Sequence, residues 1–174
     1  MSTWDAGTAR CHVFAWKEGL LSAVGHDVRL EVRSFRVTRE GDLVTATFDP
    51  RSVAAVTAVR DGRDAPGTLS AKDLATIDGY VQNDILQSKR YPEISFTSTT
   101  FEVEDGEGTV TGTLALHGAR RTVTGKVTTV GGRLTARLRL SQPDFGITPF
   151  KAMLGALRIQ PTVDVEVSIP APGE

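Results

Sequence analysis

The chain has 174 residues, 40% of them hydrophobic and 24% charged, which suits one globular domain with a real core and is short for two. The 20 Lys and Arg against 21 Asp and Glu leave a net charge of −1, which excludes a global field for nucleic acid or membranes. Cys11 is the single cysteine, so an internal disulfide framework and a cysteine-rich zinc site are excluded as well.

The N-terminal stretch MSTWDAGTARCHVFAWKEG has no charged-then-apolar leader and no small-residue cleavage signal, so cytoplasmic placement is expected. No window approaches the roughly 18 apolar residues of a membrane helix. Within the first apolar run, Phe14 and Trp16 share one parity and predict an inward aromatic face, with His12 beside them. Val28, Leu30 and Val32 then alternate with Arg29, Glu31 and Arg33 as a strand with one dry face. His26 has the dry parity and Asp27 the wet one, so adjacency on a strand points the two apart and forms no His–Asp dyad.

Glu40-Gly41-Asp42 reads as a turn, and Gly62 to Gly67 as an exposed loop. Ser70-Ala71-Lys72-Asp73 has the form of a capping box with Asp for Glu. Leu74, Ile77, Val81 and Ile85 follow at helical spacing and predict a helix over about 71–86, lying across or over one end of the sheet. Val110, Gly112, Leu114 and Leu116 alternate with threonines. Leu134, Ala136, Leu138 and Leu140 alternate with Thr135 and arginines, and Val163, Val165, Val167 and Ile169 with polar residues. Asp105-Gly106-Glu107-Gly108, His117-Gly118-Ala119 and Gly131-Gly132 separate strands. Thr148 and Pro149 predict a short second helix near 149–157. The pattern is all-β: an antiparallel up-and-down barrel of about eight strands in a single domain spanning 1–174, with a two-sheet sandwich as the competing arrangement.

Asp84 to Thr99, with Tyr91-Pro92 followed by Ile94-Ser95-Phe96-Thr97-Ser98-Thr99, resembles the YceI-like family of lipid-binding proteins. Gly112-Thr113-Leu114-Ala115-Leu116-His117-Gly118 resembles the family's next hairpin, and Asp144-Phe145-Gly146-Ile147 its late Phe-Gly motif. His26 falls where many members carry a histidine. The resemblance covers most of the chain and implies a lipocalin-like barrel holding a polyisoprenoid in its interior, in proteins that are widely dimeric. Two departures stand out. Many members are secreted, and the Arg-Asp-x-His-Leu element before the helix is reduced here to Lys72-Asp73-Leu74.

The candidate site is therefore the dry interior. Small residues of inward parity, Gly112, Gly125, Ala136 and Ala46, are expected to leave room; the competing reading is that the glycines mark corners of a filled core. The expected ligand-lining residues are Phe14, Trp16, His26, Val28, Leu30, Phe48, Phe96, Leu114, Val127, Leu138, Phe145 and Phe150, with Phe35 and Phe101 as further aromatic candidates. Phe96 and Phe101 are an odd number apart, so sharing a face requires a bulge near Ser98-Thr99-Thr100. His12 and His26, both read as inward, lack a third protein ligand, so no metal and no cofactor is expected. His117, in a turn, is expected to be solvated. Arg120, Lys126, Arg133, Arg137 and Arg139 share outward parity, a stripe that suits transient contact with an anionic membrane or is neutralised by acids such as Glu102 and Glu104.

The leading expectation is a non-enzymatic carrier or sequestering protein for an isoprenoid-type lipid, forming a homodimer and binding no nucleic acid. The alternatives are an enzyme that modifies such a lipid with an inward histidine as general base, and a packed structural or interaction module without ligand.

Overall fold

The computed structural model describes residues 1–20 and 24–171. Its strands are β1 (Ser2–Asp5), β2 (Arg10–Glu18), β3 (Asp27–Val32), β4 (Phe35–Glu40), β5 (Leu43–Phe48), β6 (Val53–Arg60), β7 (Arg63–Ala65), β8 (Ile94–Glu104), β9 (Glu107–Leu116), β10 (Ala119–Val130), β11 (Arg133–Ser141), β12 (Lys151–Ala152) and β13 (Leu157–Pro170). All join one sheet in the order β1-β4-β5-β8-β9-β10-β11-β13-β2-β3-β6-β7, with β12 paired to β13. Every pairing is antiparallel. The expected all-β, lipocalin-like class is what forms, as a curled half-barrel of 13 strands instead of about eight. The surplus comes largely from short edge pieces and hairpin arms.

Turn chemistry sets the hairpins. Asp61-Gly62, Asp105-Gly106, His117-Gly118 and Gly131-Gly132 all have positive φ at both positions, the handedness whose twist matches flanking strands. Gly62 to Gly67 is not simply a loop: Arg63–Ala65 is an edge strand on β6. The meander is interrupted where β3 pairs with β6, and β4 with β1 and β5. At that corner Arg33 N–H donates to Ser52 O at 3.2 Å and Asp49 N–H to Ser34 O at 2.9 Å.

The helix α1 (Ala71–Tyr80) starts at the predicted capping box: Asp73 N–H donates to Ser70 Oγ at 3.1 Å, and Ser70 N–H to Asp73 Oδ2 at 2.9 Å. It continues as a π-helical turn over Val81–Ile85, so the predicted end near 86 holds while the last turn widens. Asp78 Oδ1 accepts the Ala55 N–H of β6 at 2.7 Å, and Gln82 Nε2 donates to the Pro50 and Val53 carbonyls. These side chains satisfy backbone groups at the start of β6, beyond the short β7, and of Pro50 just before it. Leu74, Ile77, Val81 and Leu86 pack against the apolar face of the sheet.

The second predicted helix does not form. Thr148 and Pro149 lie in irregular chain; Lys151–Ala152 pairs with Leu157 and Arg158, and Met153–Gly155 makes a single tight turn. Cross-strand bonding to β13 outweighs the local propensity of a proline at a potential helix start.

Candidate functional site

A cavity of about 540 Å³ occupies the inside of the curl, within the roughly 300–1,000 Å³ typical of small-molecule sites. Period-two alternation builds its wall. β2 contributes Cys11, Val13 and Ala15, β3 Val28, Leu30 and Val32, β11 Leu134, Ala136, Leu138 and Leu140, and β13 Val163, Val165, Val167 and Ile169. The helical segment adds Ile77, Val81, Ile85 and Leu86. Polar residues are few: Lys17, His26, Arg39, Thr76, Gln142 and Arg158. Gln142 is buried, and its Nε2 donates to Gln160 O at 3.1 Å. Val24, His26, Thr76, Tyr80 and Arg158 both line the cavity and are exposed, so they mark its mouth.

Of the predicted lining residues, His26, Val28, Leu30, Phe48, Phe96, Leu114, Val127, Leu138, Phe145 and Phe150 face this cavity. Phe101 does too, because the register of β8 slips between Ser98 and Thr100, the bulge that its odd spacing from Phe96 demands. Phe35 is buried and stacks on Phe48 at 5.8 Å instead of lining the space. Trp4, on the short β1, and Tyr80, on α1, also line the cavity and were missed. Trp4 lies on a strand of only four residues, too short for parity to be read.

Phe14 and Trp16 correct the sequence reading. The inward parity of β2 belongs to Cys11, Val13 and Ala15, so His12, Phe14 and Trp16 lie on the outer face. There Phe14 stacks on Trp16 (5.8 Å, 9° between planes), and the Arg137 guanidinium sits 5.8 Å from the Phe14 ring centroid. His12 is half-buried among Arg29, Glu31 and Glu166, and its pKa is lowered, first by burial and then by the Arg29 charge. His12 and His26 therefore do not converge. No group of three His, Cys, Asp or Glu is placed to hold a metal among the described residues.

Asp164 organises this outer face. It is 2% exposed although it points away from the cavity. Trp16 Nε1–H donates to it at 2.8 Å, Arg139 Nε at 3.0 Å and Arg137 Nη2 at 3.4 Å. Arg137 also pairs with Glu166 at 2.6 Å. The basic stripe is thus neutralised in part by acids of β13, not by Glu102 and Glu104. Burial pushes the Asp164 pKa up, but hydrogen bonds from Arg139 and Trp16 and the charges of Arg139 and Arg137 bring the net value below the usual carboxylate range. A depressed native pKa stabilises above the unfolded value and is lost as pH falls through the native one. Asp164→Ala should therefore cost about 1.5–3 kcal/mol at pH 7, the range for hydrogen bonds to a charged group. Urea unfolding of both proteins across pH should show that difference shrinking below about pH 4.

The two residues of Gly25-His26-Asp27-Val28 separate, although not only by parity. β3 begins at Asp27, whose Oδ1 accepts the Lys17 N–H at 2.8 Å and ties β3 to β2. His26 precedes the strand and is exposed at the mouth. His117 is not solvated: its Nδ1 lies 3.0 Å from Phe145 O and its Nε2 is buried without a partner. Its ring packs against Tyr91 at 4.3 Å, tilted by 47°, and Tyr91 Cε1 lies 2.8 Å from where a Gly118 Cβ would stand. Tyr91, His117, Gly118 and Phe145 thus form a structural corner beside the cavity.

The glycines expected to open the interior do not. A Gly112 Cβ would meet the Phe96 ring and the β8 backbone, and a Gly125 Cβ the Leu138 side chain. Neighbouring groups already occupy that space. Ala46 and Ala136, in contrast, line the cavity.

Cys11 lines the cavity at 3% exposure, and burial pushes its thiol pKa up to about 12. Since the thiolate is the nucleophile, iodoacetamide at pH 8 should leave Cys11 unmodified in the folded protein and alkylate it in urea, as intact-mass measurement would show.

The fold has close structural counterparts. BcnA of Burkholderia cenocepacia superposes with a TM-score of 0.65 at 16% identity, covering 97% of this chain and 99% of that one. A polyisoprenoid binding domain from Saccharophagus degradans, implicated in plant cell wall breakdown, gives 0.60 at 14% identity, covering 98% of each chain. The YceI protein of Campylobacter jejuni gives 0.57 at 16%, covering 83% of this chain and 84% of that one. Among curated proteins, none matches the sequence. The model of the YceI-like domain matches residues 8–171, and on that near-complete match the chain belongs to the YceI-like domain family.

Proposed function

We propose that the protein binds a long apolar isoprenoid-type lipid, a polyisoprenoid or quinone tail, inside the curled sheet and carries or sequesters it without catalysing its conversion. The observation that carries this reading is the cavity: about 540 Å³, walled almost wholly by aliphatic and aromatic side chains, with His26, Thr76 and Arg158 among its few polar exceptions at the mouth. Such a wall offers few hydrogen bonds to recognise a polar ligand. It rewards a chain of methyl and methylene groups at roughly 0.8 kcal/mol per buried unit. His26, Thr76 and Arg158 at the mouth suit a polar head group.

Family membership and the likeness in fold to a polyisoprenoid binding domain support the same reading. Of the two histidines weighed as general bases, His12 lies outside the cavity and His26 makes no dyad with Asp27, which favours a binder over a catalyst. The free sheet edges at β1 and β7 are compatible with a homodimer that pairs across a two-fold axis.

Native mass spectrometry of gently purified protein incubated with a polyprenol and with a long-tailed quinone tests the proposal. The expected result is a 1:1 mass increment per chain with at least one of them. Protein that stays ligand-free with both would overturn it.

A further inference from the structure

The mouth of the cavity is flanked by apolar side chains that the fold leaves in water. Leu154 and Met153, at the tip of the β12–β13 turn, are 109% and 63% exposed; Leu20 and Val24, in the β2–β3 connection, are 94% and 66% exposed. The β12–β13 turn lies beside the end of β2. Arg158 pairs with Glu18 across β13 and β2, and a Cβ on Gly19 would run into the Ala156 backbone. Phe150, just before β12, stacks edge-on against Tyr80 of α1 at 4.9 Å, and Tyr80 itself is 44% exposed. Val24 and Tyr80 line the cavity, so apolar side chains lead from the lip into its interior past His26, Thr76 and Arg158.

The turn is also built against local preference. Met153 and Leu154 have φ of +52° and +57°, followed by Gly155 at +86°. Asn, Asp or Gly relieve left-handed backbone, and a branched apolar residue does not. An exposed pair that combines unfavourable backbone with unfavourable hydration points to a surface on which the side chains are used. Lys151 is exposed beside the turn.

We infer that this lip is a membrane-docking device: Leu154, Met153, Leu20 and Val24 insert into a lipid bilayer and bring the mouth against it, so that an apolar chain passes between bilayer and cavity without crossing water. A bilayer is favoured over a second copy of the chain because the apolar groups sit on the β12–β13 turn and on the described ends of the β2–β3 connection, at the rim of an opening. Covering them with protein would close the path into the cavity. The inference rests on the lipid-binding reading, and its test separates the two.

The experiment uses the full chain, phosphatidylcholine vesicles with and without phosphatidylglycerol, and the variant Met153→Asn/Leu154→Asn. Asn tolerates the left-handed turn, so the variant should melt no lower than wild type. Wild type should co-sediment with both kinds of vesicle. The variant should bind them and take up vesicle-borne polyprenol about tenfold or more weakly, the scale of removing two apolar side chains from a lipid surface. Polyprenol offered in detergent micelles should load both proteins equally. Three results would overturn the docking inference: no vesicle binding by wild type, unchanged binding by the variant, or a change in oligomeric state by analytical ultracentrifugation in place of the vesicle effect. Failure of both proteins to load from micelles would overturn lipid binding itself, while vesicle sedimentation would still report on docking.

Discussion

Ala46→Trp/Ala136→Trp should lose lipid retention and keep its fold. The two alanines line separate parts of the cavity. Ala46 sits with the residues of β3, β4 and β6, and Ala136 sits beside Val110, Val127 and Leu134. An indole entering from either wall displaces about one isoprene unit of ligand, roughly five methylene-sized groups and about 4 kcal/mol, a loss near a thousandfold in affinity. Native mass spectrometry should show occupancy falling to background. The same variant separates a lipid site from a filled core through its unfolding curve. In an open cavity the indoles gain apolar contacts and the ligand-free variant is as stable as ligand-free wild type, or more so. In a packed module, overpacking costs about 1–3 kcal/mol per site. A destabilised variant with nothing to lose in binding would support the packed module.

Gly112→Val is expected to be among the most damaging single changes in the molecule. Gly112 on β9 faces Ser98 on β8 at the point where the register slips. A Cβ there would sit on the Thr97 carbonyl oxygen, 2.6 Å from Phe96 Cζ and 2.7 Å from Ser98 Cα. Neither strand can yield without undoing the bulge that aims Phe96 and Phe101 into the same cavity, so the cost should reach or exceed about 3 kcal/mol, the upper end for overpacking. Gly125→Ala provides the contrast. Its Cβ would meet mainly the Leu138 side chain, at 2.8 Å from Cγ, with Arg137 O farther off at 3.2 Å. A side chain can turn aside, so that variant should lose only about 1 kcal/mol. Urea unfolding of both would measure the difference, and equal costs would mean that β8 moves more freely than the bulge geometry implies.

These glycines show how a composition-level inference can select the wrong residues. Small residues on a dry face were expected to leave room. At Gly112 and Gly125 the missing Cβ is instead filled by Phe96 and Leu138 from neighbouring strands. Which neighbour leans into a gap depends on cross-strand register, and a single strand does not contain that information.

The alternation of apolar and polar residues is local, and it determined most of what proved legible in the sequence: an antiparallel sheet with one dry face, the tight turns at Asp105-Gly106, His117-Gly118 and Gly131-Gly132, the Ser70–Asp73 cap, and a break in β8 between Phe96 and Phe101. Each follows from backbone preference or a period of two within one segment. Tertiary structure alone decided which face of β2 is the inside. Both faces of that strand are apolar, Cys11, Val13 and Ala15 on one and Phe14 and Trp16 on the other, and bulk alone favours burying the aromatics. The fold reverses this because Asp164, 148 residues away from Trp16, takes the indole N–H, while Arg137 covers Phe14. That outer cover leaves the small side to wall the cavity. The same distance in sequence hid the lip at the mouth, since Gly19 and Ala156, beside Leu20 and Leu154, meet only when β13 is laid against β2.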